Sequence, residues 1–378
     1  MPESRILLVE DHPTSRKLLA AMLKRTYEVI PASDGIQAIQ LAATHKPDLV
    51  LLDIEMPGMD GFETLEKLRG GVIDLSVPVI FITAREDSES REKGLEAGAV
   101  DYLTKPYDKQ ELAIKVKNHL ALYQAKKEID RTNRIMAQEM EMASQLQRSL
   151  LPQSFPPYER VEFAVAYRPT SKAGGDFYDV IEVSSGLIGF AQVDVAGHGV
   201  RSAMIGAMFK MAFQTFAKAQ PSPAALLAKI NDEMYRIIPA GDFLTAFYGA
   251  IDTRTMQLIF SNAAHPKPFL YRKRNREIVE LYDGGTILGA FPDMEYDEGT
   301  ESLESGDRIL LYTDGVTEAG NNSESGEVYG EERLKETFLH HMDQAPDRLL
   351  QTILGEIEEF QGSTSFDDDV SLLMVSVM

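Results

Sequence analysis

Ser305-Gly306-Asp307-Arg308-Ile309-Leu310-Leu311-Tyr312-Thr313-Asp314-Gly315-Val316-Thr317-Glu318-Ala319 is the stretch on which the reading of this chain turns. Arg308 to Tyr312 is a short apolar, β-prone run that delivers one carboxylate, Asp314, onto a glycine turn at its C-terminal end. An acid so placed is a candidate ligand for a hard divalent cation, which takes oxygen donors. Three more stretches repeat the device: Gly174-Gly175-Asp176-Phe177-Tyr178-Asp179, Asp194-Val195-Ala196-Gly197-His198-Gly199, and Phe366-Asp367-Asp368-Asp369-Val370-Ser371. Each puts acids where a strand pattern meets a turn.

The chain has 378 residues and 44% hydrophobic content, enough for two or three separate cores. Its 38 basic residues face 59 acidic ones, a net charge of -21. That balance argues against a nucleic-acid backbone or an anionic membrane as partner and suits a protein that binds cations. There is no cysteine, so disulfides, thiolate metal sites and cysteine nucleophiles are excluded and a reducing, cytoplasmic setting is expected. The N-terminus leads directly into Ile6-Leu7-Leu8-Val9 without a secretory pattern, and no apolar run reaches membrane-spanning length, so neither export nor a membrane is expected.

From residue 5 to about 120, apolar runs alternate with helical patterns: Ile6 to Val9, Val29 to Pro31, Leu49 to Leu52, Val79 to Ile82 and Tyr102-Leu103 are the predicted strands. The rhythm predicts an α/β domain with a doubly wound, parallel, five-stranded sheet. Working residues in such folds gather beyond the carboxyl ends of the strands. Glu10 and Asp11 follow the first predicted strand, Asp53 the third, Thr83 the fourth and Lys105 the fifth. Three acids in one crevice are tolerable when a divalent ion neutralises them, so a Mg²⁺ site is expected. A carboxylate beside Mg²⁺ is a competent phosphoryl acceptor, with Lys105 and Thr83 suited to the new phosphate oxygens.

Val9-Glu10-Asp11-His12, Leu51-Leu52-Asp53-Ile54-Glu55-Met56-Pro57-Gly58-Met59-Asp60-Gly61, Ile82-Thr83-Ala84 and Thr104-Lys105-Pro106 together resemble the receiver domain of two-component response regulators, over residues 1–120. The resemblance implies phosphorylation of Asp53 by a sensor histidine kinase or phosphotransfer protein. It implies Mg²⁺ held by Asp11, Asp53 and the Glu55 carbonyl, with Glu10 acting through water. Tyr102 matches the aromatic position that moves inward on activation, paired with Thr83.

Residues 108 to 150 are charged and methionine-rich without Pro or Gly, which predicts one continuous helix that breaks at Pro152. Leu122, Ile129, Met136, Ala143 and Leu150 recur every seven residues, while Ala125, Thr132, Glu139 and Leu146 make a mixed companion row. A weak coiled coil, and a homodimer formed through it, are expected. From about 160 onward, strand patterns at Val161 to Tyr167, Leu187 to Val193, Leu244 to Ile251, Gln257 to Phe260, Arg308 to Tyr312 and Val370 to Val377 surround helices at Val200 to Ala217, Pro223 to Ile238 and near Ala345 to Phe360. Clustered elements predict an α+β domain. The expected division is 1–120, a helical linker at 121–152, and 153–378.

Asp176, Asp194, Asp314 and Asp368 sit at predicted strand termini, and such a cluster can hold two divalent ions. A shared carboxylate and a water made acidic by the pair would provide hydroxide for in-line attack on phosphorus. Gly174-Gly175-Asp176-Phe177 also looks like the start of the diguanylate cyclase signature, but the glutamate needed before the phenylalanine is missing.

The four acid motifs, with Leu146-Gln147-Arg148-Ser149-Leu150-Leu151-Pro152 and Phe243-Leu244-Thr245-Ala246-Phe247-Tyr248, resemble the metal-dependent serine/threonine phosphatases of the PPM family, RsbU/SpoIIE type, whose fold is an αββα sandwich. The resemblance implies a phosphatase with two Mg²⁺ or Mn²⁺, acting on a phosphorylated STAS-type anti-sigma-factor antagonist. Asp194 would bridge the metals and Val195 would offer its carbonyl. Asp314 and Asp368 would bind from the other side, with Asp369 as an alternative, and Asp176 would approach the second ion. His198 reads as a turn or capping residue, His265 as structural, and Asp179 as a supporting or capping acid. Asn262-Ala263-Ala264-His265-Pro266 departs from the usual Gly before the histidine. The competing expectation is a non-catalytic adaptor that uses the fold to hold a partner.

Overall fold

The computed structural model describes residues 4–84, 94, 97–152, 154–170, 174–197, 199–220, 222–321 and 326–378, and the chain divides into two compact units, Met1–Ile135 and Met136–Met378. The first unit is built on β1 (Arg5–Val9), β2 (Glu28–Ala32), β3 (Leu49–Asp53), β4 (Val79–Thr83) and β5 (Asp101–Thr104), all parallel in the order β2-β1-β3-β4-β5. β3 and β4 are buried along their whole length. Strands covered on both faces read as unbroken apolar runs, and these do. α1 (Pro13–Leu23), α2 (Gly35–His45) and α3 (Gly61–Arg69) connect them. Asp34 and Asp60 cap α2 and α3 by accepting the N–H of Gln37 and of Glu63, both at 2.8 Å. Each cap is worth about 1 kcal/mol.

A helix runs from Lys109 to Leu150. Leu112, Val116 and Leu120 are buried in the core of the first unit, while Ser144 and Gln147 are buried within the second. Between them the heptad positions Leu122, Ile129 and Met136 are 68%, 60% and 57% exposed, so this part of the predicted seam is uncovered among the described residues.

The second unit contains β6 (Val161–Arg168), β7 (Phe177–Ser184), β8 (Leu187–Val195), β9 (Leu244–Asp252), β10 (Gln257–Ala263), β11 (Phe269–Arg272), β12 (Glu277–Glu280), β13 (Gly284–Gly285), β14 (Gly299–Ser302), β15 (Arg308–Tyr312) and β16 (Val370–Val377). One sheet runs β13-β10-β9-β8-β7 with β14 on β10, and the other runs β12-β11-β15-β16-β6. In β16 every residue is buried. Leu373, Val375 and Val377 join the core shared with the first sheet, and Leu372 and Met374 pack in the layer with the helices Gly330–His340 and Pro346–Gln361. The helices Val200–Phe216 and Pro223–Ile237 pack on the first sheet. The expected αββα layering is thereby met.

Candidate functional sites

In the first unit, the parallel order brings the ends of β1, β3, β4 and β5 together at one edge. Glu10, just past β1, is fully buried; Asp53, the last residue of β3, is 2% exposed, and Thr83, ending β4, is 3% exposed. Lys105, after β5, places its Nζ 2.6 Å from Asp53 Oδ2 and 2.9 Å from Glu10 Oε2. Asp53 Oδ1 accepts the Glu55 N–H at 3.3 Å. Burial pushes the Asp53 carboxyl up to about 6, with Lys105 opposing and the Glu10 charge adding. Carboxylate oxygens of Glu10, Asp11 and Asp53 lie within 4.8 Å of one another. Three acids cluster there with Lys105 paired to two of them, and hard oxygen donors with a surplus of negative charge fit Mg²⁺. Tyr102 is half-buried, its ring stacked on Phe81 with centroids 6.5 Å apart.

In the second unit the four motif acids meet at one end of the two sheets. Asp194 lies near the end of β8, and Asp176 immediately before β7; both come from the first sheet. Asp314 follows β15 and Asp368 precedes β16, both from the second. Burial, with the charges of Asp314 and Asp368 beside it, pushes the Asp194 carboxyl up to about 8. Asp176 is 2% exposed and its carboxyl is raised by burial and by Asp194. A cluster of carboxylates of this kind, drawn from two sheets, fits hard divalent ions. Among the described residues, no three of these acids close as tightly as the Glu10 group.

The supports of the cluster are specific. Thr313 Oγ1 donates to Asp176 Oδ2 at 2.7 Å and accepts the Ser371 N–H at 3.1 Å, tying β15, β16 and the Asp176 turn together. Asp369 is buried, and both of its oxygens are engaged. Oδ1 accepts from Thr170 N–H at 2.8 Å, and Oδ2 from Gly175 N–H at 2.5 Å. Asp368 is exposed beside it. A Cβ at Gly175 would lie 2.7 Å from the Val195 carbonyl oxygen, and one at Gly315 would lie 2.1 Å from that of Asp369. Glycine is needed at both positions because backbone passes against backbone.

Asp179 is buried and raised by burial; its Oδ2 accepts from Gln214 at 2.9 Å and faces Lys210 at 3.8 Å. His265 is 4% exposed, its Nδ1 2.9 Å from Thr245 Oγ1, and burial lowers it to about 3. Ala264 before it adopts φ 55°, the left-handed region that glycine enters without penalty, which accounts for the usual glycine there. His198 lies outside the described residues. Gln147, Thr313 and the bracing arrangement of Asp369 did not emerge from the sequence. All three sit inside quoted motifs, and their partners lie 27, 137 and 194 or more residues away.

Fold and site define a class: a phosphoacceptor-type α/β unit joined to an acid-centred two-sheet phosphatase-type unit. Residues 184–378 match the family described as stage II sporulation protein E (SpoIIE), and residues 6–117 match the response regulator receiver domain. The chain belongs to the SpoIIE family and carries a receiver domain ahead of its PP2C-type domain. Asp176 lies ahead of the matched SpoIIE segment. The chain is 26% identical over 230 residues to phosphoserine phosphatase RsbU of Bacillus subtilis, covering 61% of this chain and 68% of that protein. It is 44% identical over 116 residues to response regulator PleD of Caulobacter vibrioides, covering 30% of this chain and 26% of that one. The solved SiaA-PP2C domain of Pseudomonas aeruginosa matches with a TM-score of 0.56 at 22% identity, over 64% of this chain and 97% of that one. The RsbU and RsbW domains of Rv1364c from Mycobacterium tuberculosis match at 0.51 and 22%, over 60% and 63%. At these identities the structural likeness is one of fold. Among the described residues no helix is long and apolar enough to cross a membrane.

Proposed function

We propose that this chain is a response regulator whose output is a divalent-metal-dependent phosphatase for phosphoserine or phosphothreonine on a STAS-type anti-sigma-factor antagonist. The observation that carries the reading is the convergence of Asp176 and Asp194 from one sheet with Asp314 and Asp368 from the other, near enough that the charges of Asp314 and Asp368 raise the Asp194 carboxyl. The likeness to a relative named phosphoserine phosphatase supports the substrate class.

In this reading two Mg²⁺ or Mn²⁺ ions would be held by Asp194 and the Val195 carbonyl from the first sheet and by Asp314 and Asp368 from the second, with Asp176 as a further donor. When bound, the ions supply a water acidic enough to serve as hydroxide and charge to stabilise the phosphoryl oxygens. Thr313 fixes the Asp176 carboxylate, and Asp369 is a brace for the Gly174-Gly175 turn because its oxygens are already taken. Upstream, Asp53 accepts a phosphoryl group from a histidine kinase or phosphotransfer protein. Asp11, Asp53 and the Glu55 carbonyl would hold Mg²⁺, with Glu10 acting through water, and Lys105 and Thr83 receive the phosphate oxygens, with Tyr102 responding.

The functional division is 1–120 for the receiver, 121–152 for a linker and 153–378 for the phosphatase. The exposed row Leu122, Ile129 and Met136 supports pairing of two linkers in a homodimer. The test is phosphate release from phosphorylated STAS proteins with Mn²⁺ or Mg²⁺, with and without a phosphodonor for the receiver. Release that persists undiminished in excess chelator, or no release from any such substrate, rejects the reading.

A further inference from the structure

The strands β15 and β16 carry Asp314 and Asp368 at one end; their opposite ends, about 20 Å away at ~3.3 Å per residue, form a second cavity. Tyr271 pairs with Arg308, Arg308 with Ser376, and Ser376 with Glu162, so these four stand in one row across β11, β15, β16 and β6. Residues directly opposite in adjacent strands share a face, here the face covered by the helices Gly330–His340 and Pro346–Gln361. At its end the connection carrying Met342 and Asp343 joins the row in lining an open cavity of about 460 Å³.

Lys273 and Arg276, in the turn between β11 and β12, complete the lining. That turn reads Lys273-Arg274-Asn275-Arg276, a basic knot in a chain of net charge -21. Arg272 is spent on Glu301 and Asp307. Among the described residues, Lys273 and Arg276 form no ion pair. Arg308 is partly buried and held in place by donating to the Gln344 carbonyl at 2.9 Å. Ser376 is 6% exposed, and its hydroxyl has no hydrogen-bond partner. A buried hydroxyl left unsatisfied costs about 1–3 kcal/mol, a penalty that a ligand oxygen removes once the Ser376 side chain, closed to solvent here, turns toward the cavity. Lining cations outnumber lining carboxylate side chains, Lys273, Arg276 and Arg308 against Glu162 and Asp343.

We propose that this cavity binds a small phosphorylated molecule, with its phosphate on Arg308, Lys273, Arg276 and the Ser376 hydroxyl and its body against Tyr271 and Met342. A phosphate presents three or more acceptor oxygens to such a spread of donors, whereas a carboxylate presents two. The volume suits a sugar phosphate or a nucleoside monophosphate.

The experiment is calorimetric titration of the full chain in excess EDTA, which removes divalent ions from the acid clusters. The probes are inorganic phosphate, ribose 5-phosphate, adenosine monophosphate and acetate. Phosphate and at least one phosphorylated compound are expected to bind, the latter more tightly, and acetate is expected to bind far more weakly. The double variant Lys273→Gln, Arg276→Gln, altered only in an exposed turn, is expected to weaken binding at least about ten-fold, the size of lost charge-assisted contacts. Ser376→Ala is expected to weaken it about five-fold, one hydrogen bond's worth. Absence of phosphate binding, equal binding of acetate, or binding unchanged in the double variant overturns the proposal.

Discussion

Gln147, in the last turns of the long helix, and Gly174, in the turn that presents Asp176, hold each other through two hydrogen bonds. The side-chain amide donates to the Gly174 carbonyl at 2.6 Å, and its oxygen accepts the Gly174 N–H at 3.0 Å. The helix end is fixed a second time by Lys210, which donates to the Leu150 carbonyl. Any rotation of this helix end therefore pulls on the turn whose far side is held by Asp369. Transmission through this turn requires that it have two discrete positions, and the Gln147 contact is where such a change would enter. Gln147→Met keeps the volume and removes both bonds. Turnover is expected to fall by about ten-fold or more, the cost of losing one to two kcal/mol of positioning, and the response to a receiver phosphodonor is expected to vanish. A variant with normal turnover and a normal response rejects the coupling.

The proposed ligands Asp194 and Asp314 and the brace Asp369 separate by experiment. Asp194→Asn and Asp314→Asn are expected to abolish phosphate release with little change in melting temperature, since each alters a proposed ligand without changing volume. Asp369→Asn is expected to act on stability: it weakens the acceptors of Thr170 and Gly175 and is expected to cost about 1–3 kcal/mol. Denaturant unfolding and metal titration of the same three proteins check both halves. An Asp369 variant of full stability that has lost metal binding would assign it as a ligand.

In the receiver, Asp53→Asn is expected to remove all acid-labile phosphate obtained from a phosphodonor, because Asp53 carries the carboxylate nearest the Lys105 ammonium. Label persisting in that variant and lost in Asp11→Asn would place the acceptor elsewhere.

His265 supplies a pH dependence. Burial lowers its imidazole to about 3, while an unfolded histidine titrates near 6.5. The unfolded chain therefore takes up a proton below about pH 6.5 that the folded chain refuses until about pH 3, so stability falls as pH falls through that window. The slope from this one group is about 1.4 kcal/mol per pH unit. Urea unfolding at pH 7 and at pH 5 is expected to differ by about 2 kcal/mol more in the wild type than in His265→Gln. An equal difference in both proteins would show that His265 is not the group.

Legibility in the sequence followed local chemistry. The receiver strands stood out because a parallel sheet buried on both faces gives unbroken apolar runs such as Leu49 to Leu52, and β15 and β16 did so for the same reason. β7 was missed because Asp179 and Glu182 interrupt its apolar run. β13 was missed because it is only Gly284-Gly285, whose pairing with Asn262 and Ala263 no propensity signals. The four acids were legible as turn-end carboxylates. Which of Asp368 and Asp369 faces the cluster was not, since neighbours near a strand start point to opposite sides and the register is set by β15 and β6. Gln147 and Thr313 look ordinary in sequence because their meaning lies in distant partners.

The long helix yields the last prediction. Its row Leu122, Ile129 and Met136 is exposed, and Thr132 and Glu139 stand where apolar residues would lock a heptad seam. A pairing of two such helices is marginal in stability, and a marginal seam accommodates two packings at small cost. Inserting two residues after Asn133 turns the downstream segment by about 200° relative to the upstream one at 3.6 residues per turn. It thereby misaligns the row ahead of Asn133 with Met136, Ala143 and Leu150, while leaving the Gln147–Gly174 contact intact. Metal-dependent phosphate release is expected to persist, and its change on treatment with a phosphodonor is expected to disappear. A four-residue insertion, which turns the helix by about 400° and so restores the face to within about 40°, is expected to recover part of the response. If the two-residue insertion responds like the wild type, signalling does not pass along the helix face.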